Sequence, residues 1–132
     1  MSHPNEDLVR RGYEAFSSGD MDTLAQVMSA DVVHRVPGKH QLSGEYKGQA
    51  SVFGYYGKLN ELTDGNFRVE LQSVQAKGDN EVITQHRNIG QRAGKNLDEI
   101  ETLAFKVANG KITELEEKPQ DQAATDDFWG AA

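Results

Sequence analysis

The hydrophobic period of this 132-residue chain changes at Asp64-Gly65, and this change constrains the fold more than any other feature. Before this dipeptide, apolar residues recur every three or four positions, as in 8–16 and 24–28, which predicts amphipathic helices. After it, from Phe67 onward, apolar and polar residues alternate, which predicts strands. Helices followed by consecutive strands imply an α+β fold, with the helices packed on one face of a mostly antiparallel sheet.

Glycine and aspartate divide the two regions into elements. Gly19 predicts the end of the first helix, because glycine takes the left-handed conformation without a steric penalty. Either Asp20 or Asp22 is expected to cap the next helix. A third helix is predicted at 49–62. Strands are predicted at 31–36, 67–72, 80–92, 96–108 and 111–118, followed by a tail from 120 to 132 that contains Phe128-Trp129 and is expected to dock on the body.

The first predicted hairpin brings ionisable side chains onto one face of the sheet. A two-residue turn at Gly94-Lys95 places His86 opposite Leu103 and Asn88 opposite Glu101. Side chains alternate along a strand, so these four residues share a face. That face is expected to be apolar at one end and ionisable at the other.

The second predicted hairpin adds two charged residues to the same face. Asn109-Gly110 favours a type I′ turn, because both of its central residues must take positive φ. This turn places Glu116 opposite Leu103 and Lys118 opposite Glu101. The pattern fits a half-open pocket beneath the helices. It also fits a face turned to solvent, and a one-residue slip would invert the face.

Composition excludes several classes of function. The net charge of −7, from 14 Lys and Arg against 21 Asp and Glu, argues against a nucleic-acid surface. The absence of cysteine excludes disulfides and thiol nucleophiles. His34 and His40 have no carboxylate at ligand spacing, so no metal is expected. No run approaches the ~18 apolar residues of a membrane span, and no secretory signal is visible, so a cytoplasmic protein is expected.

Four segments resemble the nuclear transport factor 2-like superfamily. YEAFSSGDMD at 13–22 is similar to its first inter-helix turn. VPG at 36–38 with LSGEYKG at 42–48, NGKITE at 109–114, and the ending at 119–129 resemble its SnoaL-like branch. The resemblance extends over residues 7–129, so one SnoaL-like domain is expected over 1–132. It implies a cone-shaped α+β barrel that encloses one small-molecule cavity, and a homodimer formed through the convex face of the sheet.

The resemblance leaves the chemistry open, because the superfamily includes isomerases, cyclases, hydrolases, dehydratases and proteins without catalytic activity. The general-base aspartate of the ketosteroid isomerases falls at Arg35 and their oxyanion-hole tyrosine at Gly12, which argues against that activity. The segment 87–89 lacks the Arg/Asp pair of the epoxide hydrolases. SnoaL-type cyclases, which use an aspartate as acid and base and no cofactor, are more similar, and Asp121 is the counterpart that they suggest.

Three residues are candidates for proton transfer: His86, Glu101 and Asp121. Each also has a structural interpretation, as a hydrogen-bonded core histidine, a paired or solvated carboxylate, and a helix cap, respectively. Arg35 is expected to point inward and to favour a polar or anionic ligand. The candidate ligand contacts are Arg35, Tyr13, Tyr56, Asn88, Glu116 and Trp129.

These residues support three hypotheses. The leading one is a cofactor-independent isomerase, cyclase or lyase that acts on a small, partly apolar carbonyl compound. In it, Arg35 or Asn88 polarises an oxygen while His86, Glu101 or Asp121 moves the proton. The others are a non-catalytic ligand-binding or stress-response protein, and a dimeric scaffold whose cavity has no use.

Overall fold

The predicted helices and strands occur in the predicted order, and the structure adds a short strand at 44–47 and a helix at 122–129. A computed structural model describes residues 3–131. The helices are α1 (Pro4–Ser18), α2 (Met21–Val27), α3 (Gln49–Leu62) and α4 (Gln122–Trp129). The strands are β1 (Met28–Val36), β2 (Gly44–Lys47), β3 (Arg68–Lys77), β4 (Glu81–Arg92), β5 (Lys95–Ala108) and β6 (Lys111–Pro119).

The boundary between the first two helices lies where the sequence predicts it. Gly19 ends α1 in the left-handed conformation, with φ 73°. Asp20 then caps α2, since its side chain accepts a hydrogen bond from the backbone N–H of Thr23 at 3.1 Å. The third helix also has its predicted bounds.

The six strands form one curled sheet in the order β2-β1-β6-β5-β4-β3. All neighbours are antiparallel except β1 and β6, which run parallel. The helices cover the concave side, so the fold is the predicted cone-shaped α+β barrel. Among the residues that the structure describes, no helix combines the length and apolarity that a membrane span requires.

The β4–β5 hairpin turns one residue earlier than the sequence predicts. Its central residues are Ala93 (φ 52°) and Gly94 (φ 76°). As a result, His86 lies opposite Glu101 rather than opposite Leu103. The prediction was wrong by two residues in register. Two residues are one full side-chain period, so the predicted face is retained.

The β5–β6 hairpin has the predicted Asn109-Gly110 turn, but a bulge shifts the register beyond it. Val107 pairs with Ile112, whereas the preceding Lys106 pairs with Glu114. A bulge adds one residue to one strand and so reverses the faces beyond it. Leu103 therefore lies opposite Glu117.

The shift overturns the prediction for Glu116. Its side chain is exposed on the outer face of the sheet, together with Lys118. Glu117 takes the inward position instead.

Two clusters of buried residues form the core. One joins α1 and α2 to the middle strands and includes Val9, Leu24, Val27, Leu103, Phe105 and Ile112. The other joins α3 to α4 and includes Val36, Leu42, Tyr55, Leu59, Phe128 and Trp129. The tail thus docks on the body, as expected from its aromatic residues.

Candidate functional site

A cavity lies beneath the helices and is lined by residues from all four helices and from five of the six strands. The space open to the centres of water molecules is about 90 Å³, and most of its wall is apolar. Among the described residues, no lysine or arginine lines it, whereas Glu101 and Glu117 both do. Ionisable groups in a mostly apolar cavity are typical of a binding or catalytic site.

The first polar group of the cavity is built around His86 and Glu101. His86 Nε2 lies 3.0 Å from Glu101 Oε1, and the side-chain amide of Asn88 donates to the same oxygen at 3.2 Å. On the other side of the ring, Nδ1 is 2.6 Å from the hydroxyl of Tyr13, which also lies 2.7 Å from Thr84 Oγ1. Both His86 and Glu101 are only 4% exposed.

The second polar group repeats this arrangement with different residues. His34 Nε2 lies 2.6 Å from Glu117 Oε2, and its Nδ1 lies 3.0 Å from the hydroxyl of Tyr56. The hydroxyl of Tyr55 donates to the same carboxylate oxygen at 2.8 Å. In both groups, a glutamate carboxyl group contacts one nitrogen of a histidine ring, and a tyrosine hydroxyl contacts the other nitrogen.

The two carboxyl groups are neighbours on the concave face. Glu101 pairs with Pro119, which lies two residues beyond Glu117 on the same strand. The two carboxylates therefore occupy diagonal positions of adjacent strands, within reach of each other. Each affects the proton affinity of the other.

Burial sets the protonation of these groups. Burial is the main reason that the pKa of Glu101 is raised to about 7, and the nearby charge of Glu117 acts in the same direction. Burial likewise raises the pKa of Glu117 to about 7, although the Tyr55 hydroxyl opposes the shift. With such pKa values, the ionisation of one carboxyl group near neutral pH opposes the ionisation of the other.

His34 and the tyrosines of both polar groups stay uncharged. Burial lowers the pKa of His34 to about 4. Its short contact with Glu117 is therefore a hydrogen bond from a neutral imidazole rather than an ion pair. Burial also raises the pKa of Tyr13, Tyr55 and Tyr56, so their hydroxyls remain protonated.

Six of the residues singled out from the sequence line the cavity: His86, Glu101, Tyr13, Tyr56, Asn88 and Trp129. Glu116 does not line it, because the bulge between β5 and β6 turns its side chain to the outer face. Asp121 does not either. It is exposed, and its side chain accepts from the N–H of Ala124 at 3.0 Å as the N-cap of α4, so the capping interpretation of Asp121 is the correct one.

The prediction that Arg35 points inward was also wrong. Its side chain is 40% exposed on the outer face, where it pairs with Glu45 at 2.8 Å and Glu114 at 2.6 Å. Neighbouring residues of a strand point to opposite faces, and His34 takes the inward position. The expectation of an anionic ligand near Arg35 therefore has no basis in the structure.

The sequence contained signals for the site residues that the prediction missed. Ile112 and Leu115 are both buried yet three residues apart, an odd spacing that a strand accommodates through a bulge. Counting onward by two from Leu115 gives Glu117. Likewise, Val32 and Val36 alternate with His34, which places its ring on the buried face. In residues 3–131, no three His, Asp or Glu side chains group in a way that would hold a metal.

Comparison with known proteins identifies the family. A model of the SnoaL-like domain matches residues 9–115. Protein Rv0034 of Mycobacterium tuberculosis (strain H37Rv) is 42% identical over 123 residues, which cover 93% of this chain and 94% of the relative. This chain therefore belongs to the SnoaL-like family.

Two solved structures have the same fold. Bal32a, from a soil-derived mobile gene cassette, is 36% identical with a TM-score of 0.94, and the match covers 96% of this chain and 97% of Bal32a. TerC, co-crystallised with polyporic acid, is 20% identical with a TM-score of 0.82, covering 96% of this chain and 98% of TerC.

Proposed function

We propose that this protein is a cofactor-independent enzyme that moves a proton on a small, partly apolar carbonyl compound, in the manner of an isomerase, cyclase or lyase. The observation that carries the proposal is the meeting of Glu101 and Glu117 inside a mostly apolar cavity. Such enzymes need a base and an acid at the same site. Two buried carboxyl groups that share one proton supply both.

The ionised carboxylate of the pair acts as the base. It takes a proton from the carbon next to the carbonyl group, and the electrons of that C–H bond pass into an enolate. The protonated carboxyl then returns a proton. Delivery to a different carbon gives an isomerase, attack of the enolate on a second carbonyl gives a cyclase, and loss of a leaving group gives a lyase.

The remaining polar side chains hold the two carboxyl groups in position. His86 and Asn88 both contact Oε1 of Glu101, which leaves its other oxygen for the proton. Tyr55 and His34 do the same at Oε2 of Glu117. Groups fixed in this way need little rearrangement when charge develops during the reaction.

The apolar wall favours an organic substrate without formal charge. A negatively charged substrate would meet two glutamates and no lysine or arginine among the described lining residues. TerC was co-crystallised with polyporic acid, which supports an organic ligand for this fold.

We also expect the homodimer that the family resemblance implies, and sedimentation velocity at micromolar concentration tests it.

A non-catalytic binding protein is the second candidate, and one observation favours it. The tyrosine, histidine and carboxyl groups of the cavity already satisfy one another without a ligand. A cavity with such an internal network suits the reversible uptake of an uncharged molecule.

Hydrogen–deuterium exchange separates the two candidates. The native protein is incubated in D₂O with acetophenone, cyclohexanone or 2-cyclohexenone, and loss of the C–H signals is followed by proton NMR. We expect exchange above the buffer rate, and a reduction of about 10²-fold or more in Glu101→Gln and Glu117→Gln. Glu116→Gln is the matched control, because it removes the neighbouring carboxylate on the outer face.

Two results would contradict an enzyme. One is an unchanged exchange rate in Glu101→Gln and Glu117→Gln. The other is the absence of exchange for a ketone that saturation-transfer NMR shows to be bound, and this second result would establish the binding protein instead.

A further inference from the structure

His40 is a cavity histidine that the proposed proton transfer does not use. It lies in the loop between β1 and β2 and is one of the residues that line the cavity, and only 3% of it is exposed. No metal-binding group forms around it within the described part of the chain. A buried polar ring at the cavity wall therefore requires another explanation.

The loop fixes the tautomer of this ring. The backbone N–H of Leu42 donates to His40 Nδ1 at 3.1 Å. A nitrogen that accepts carries no proton, so in the neutral ring the proton is on Nε2. Turning the ring over would put a C–H group against the Leu42 N–H, which would lose the bond.

Further hydrogen bonds hold the loop itself. The backbone N–H of His40 donates to Ser43 Oγ at 3.0 Å, and that hydroxyl donates to the carbonyl of Pro37 at 3.0 Å. The Gln41 side chain donates to the carbonyl of Trp129 at 2.7 Å. The ring is therefore held in one orientation before any ligand arrives.

The Nε2–H group of His40 differs from the other imidazole groups of the cavity. His34 and His86 use both ring nitrogens within the network. Within residues 3–131, by contrast, Nε2 of His40 has no hydrogen-bond partner, and it is not among the fully enclosed polar atoms that lack one. This atom therefore keeps some open surface, and His40 is one of the residues that line the cavity.

The charge of the ring is also defined. Burial lowers the pKa of His40, while the nearby Asp126 carboxylate opposes the shift. Near neutral pH the ring is an uncharged donor. Such a group donates a hydrogen bond to an acceptor oxygen without carrying a charge of its own.

We infer that Nε2–H of His40 binds the carbonyl oxygen of an uncharged ligand whose apolar body fills the cavity. The inference rests on the proposed function only in placing the carbonyl compound in this cavity. It holds for an enzyme and for a binding protein alike. His40 is then the residue that selects a carbonyl compound over a hydrocarbon of the same shape.

The test uses protein labelled with ¹⁵N in its histidines, and two probes of nearly equal shape. Acetophenone carries a carbonyl oxygen, whereas α-methylstyrene has a CH₂ group at that position. Long-range proton–nitrogen spectra should show His40 as the Nε2–H tautomer. Acetophenone should shift this nitrogen and bind about tenfold more tightly than α-methylstyrene, which is what one hydrogen bond contributes.

Two variants separate the donor from the loop. His40→Asn keeps an oxygen where Nδ1 accepts from Leu42, because asparagine forms the same bond to the backbone two residues on. It lacks the distant donor, so the preference for acetophenone should disappear while the fold is kept. Ser43→Ala weakens the loop but retains the ring, and it should keep most of the preference.

Any of four results would overturn the inference. Two concern the native protein and acetophenone: an Nδ1–H tautomer of His40, and failure of acetophenone to shift Nε2 at millimolar concentration. The others are equal binding of the two probes and retention of the preference in His40→Asn. The proposed enzymatic activity is tested separately, by deuterium exchange in the glutamate variants. A binding preference without exchange would leave the role of His40 intact.

Discussion

His86 Nε2 lies 3.0 Å from Glu101 Oε1 because the two residues are direct partners across β4 and β5. Paired positions on adjacent strands hold their side chains close together without help from loops. The pair is part of a row of polar groups across the concave face, with Tyr13 near one end and Tyr56 near the other. The two glutamates occupy the middle of this row.

Replacing Glu117 should change how stability depends on pH. Burial raises its pKa from 4.5 to about 7 in the folded protein, so its contribution to stability is complete below pH 4.5 and is lost as the pH rises through 7. Glu117→Gln has no such loss. Its free energy of unfolding, relative to that of the native protein, should therefore rise by roughly 2 kcal/mol between pH 5 and pH 8.

Urea denaturation at both pH values measures this difference. His34 has the opposite dependence, since its lowered pKa costs stability as the pH falls from 6.5 toward 4. His34 titrates in both proteins, so its contribution largely cancels in the difference between their free energies of unfolding. Glu116→Gln should follow the native curve at both pH values. Parallel curves for Glu117→Gln and the native protein would show that Glu117 is not buried as described.

The rate of ketone exchange should pass through a maximum near pH 7. The reaction needs one carboxyl group ionised and the other protonated, a state that is most populated between the two ionisations of the pair. The rate should fall in acid, where both are protonated, and in alkali, where both are ionised. A rate that rises steadily from pH 5 to pH 9 would identify a different base.

Removing the hydroxyl of Tyr13 should destabilise the protein. Tyr13→Phe deprives both His86 Nδ1 and Thr84 Oγ1 of their shared partner within the buried network. A buried polar group left without a partner costs about 1–3 kcal/mol. Thermal and urea denaturation measure the change, and a loss below about 0.5 kcal/mol would contradict it.

Tyr46→Phe is the matched control for Tyr13. The hydroxyl of Tyr46 donates to the carbonyl of Leu42, outside the carboxyl network. Its removal should leave the nitrogen resonances of His86 in place, whereas Tyr13→Phe should shift them. Equal shifts in the two variants would argue against the Tyr13–His86 contact.

Replacing Arg35 should leave ligand binding unchanged. Arg35 pairs with Glu45 and Glu114 on the outer face, where solvent weakens ion pairs. For Arg35→Gln we expect an acetophenone dissociation constant within twofold of the native value, measured by NMR titration. A change of tenfold or more would show that Arg35 contributes to ligand binding.

The sequence predicted the fold and half of the site for one physical reason, the side-chain period of a strand. The β4–β5 register was wrong by two residues because Ala93, a residue that disfavours positive φ, occupies the turn. His86 and Glu101 still fell on the right face. The bulge beside Val107 shifts β6 by one residue, and this reversed the faces of Glu116 and Glu117.

Contacts between distant parts of the chain were not predicted from the sequence. The approach of His34 to Glu117 depends on the parallel pairing of β1 with β6, strands separated by most of the chain. Hairpin reasoning treats only consecutive strands and does not reach this pairing. The two carboxyl groups therefore became neighbours only in the folded structure.

Carbon NMR shows whether Glu101 and Glu117 share one proton. Protein labelled with ¹³C at its glutamate carboxyl groups is titrated from pH 4 to pH 9, and Glu101→Gln and Glu117→Gln each assign one resonance. We expect these two resonances to titrate near pH 7, and each to move when the other residue is replaced. Independent titration of both below pH 5 would contradict this expectation.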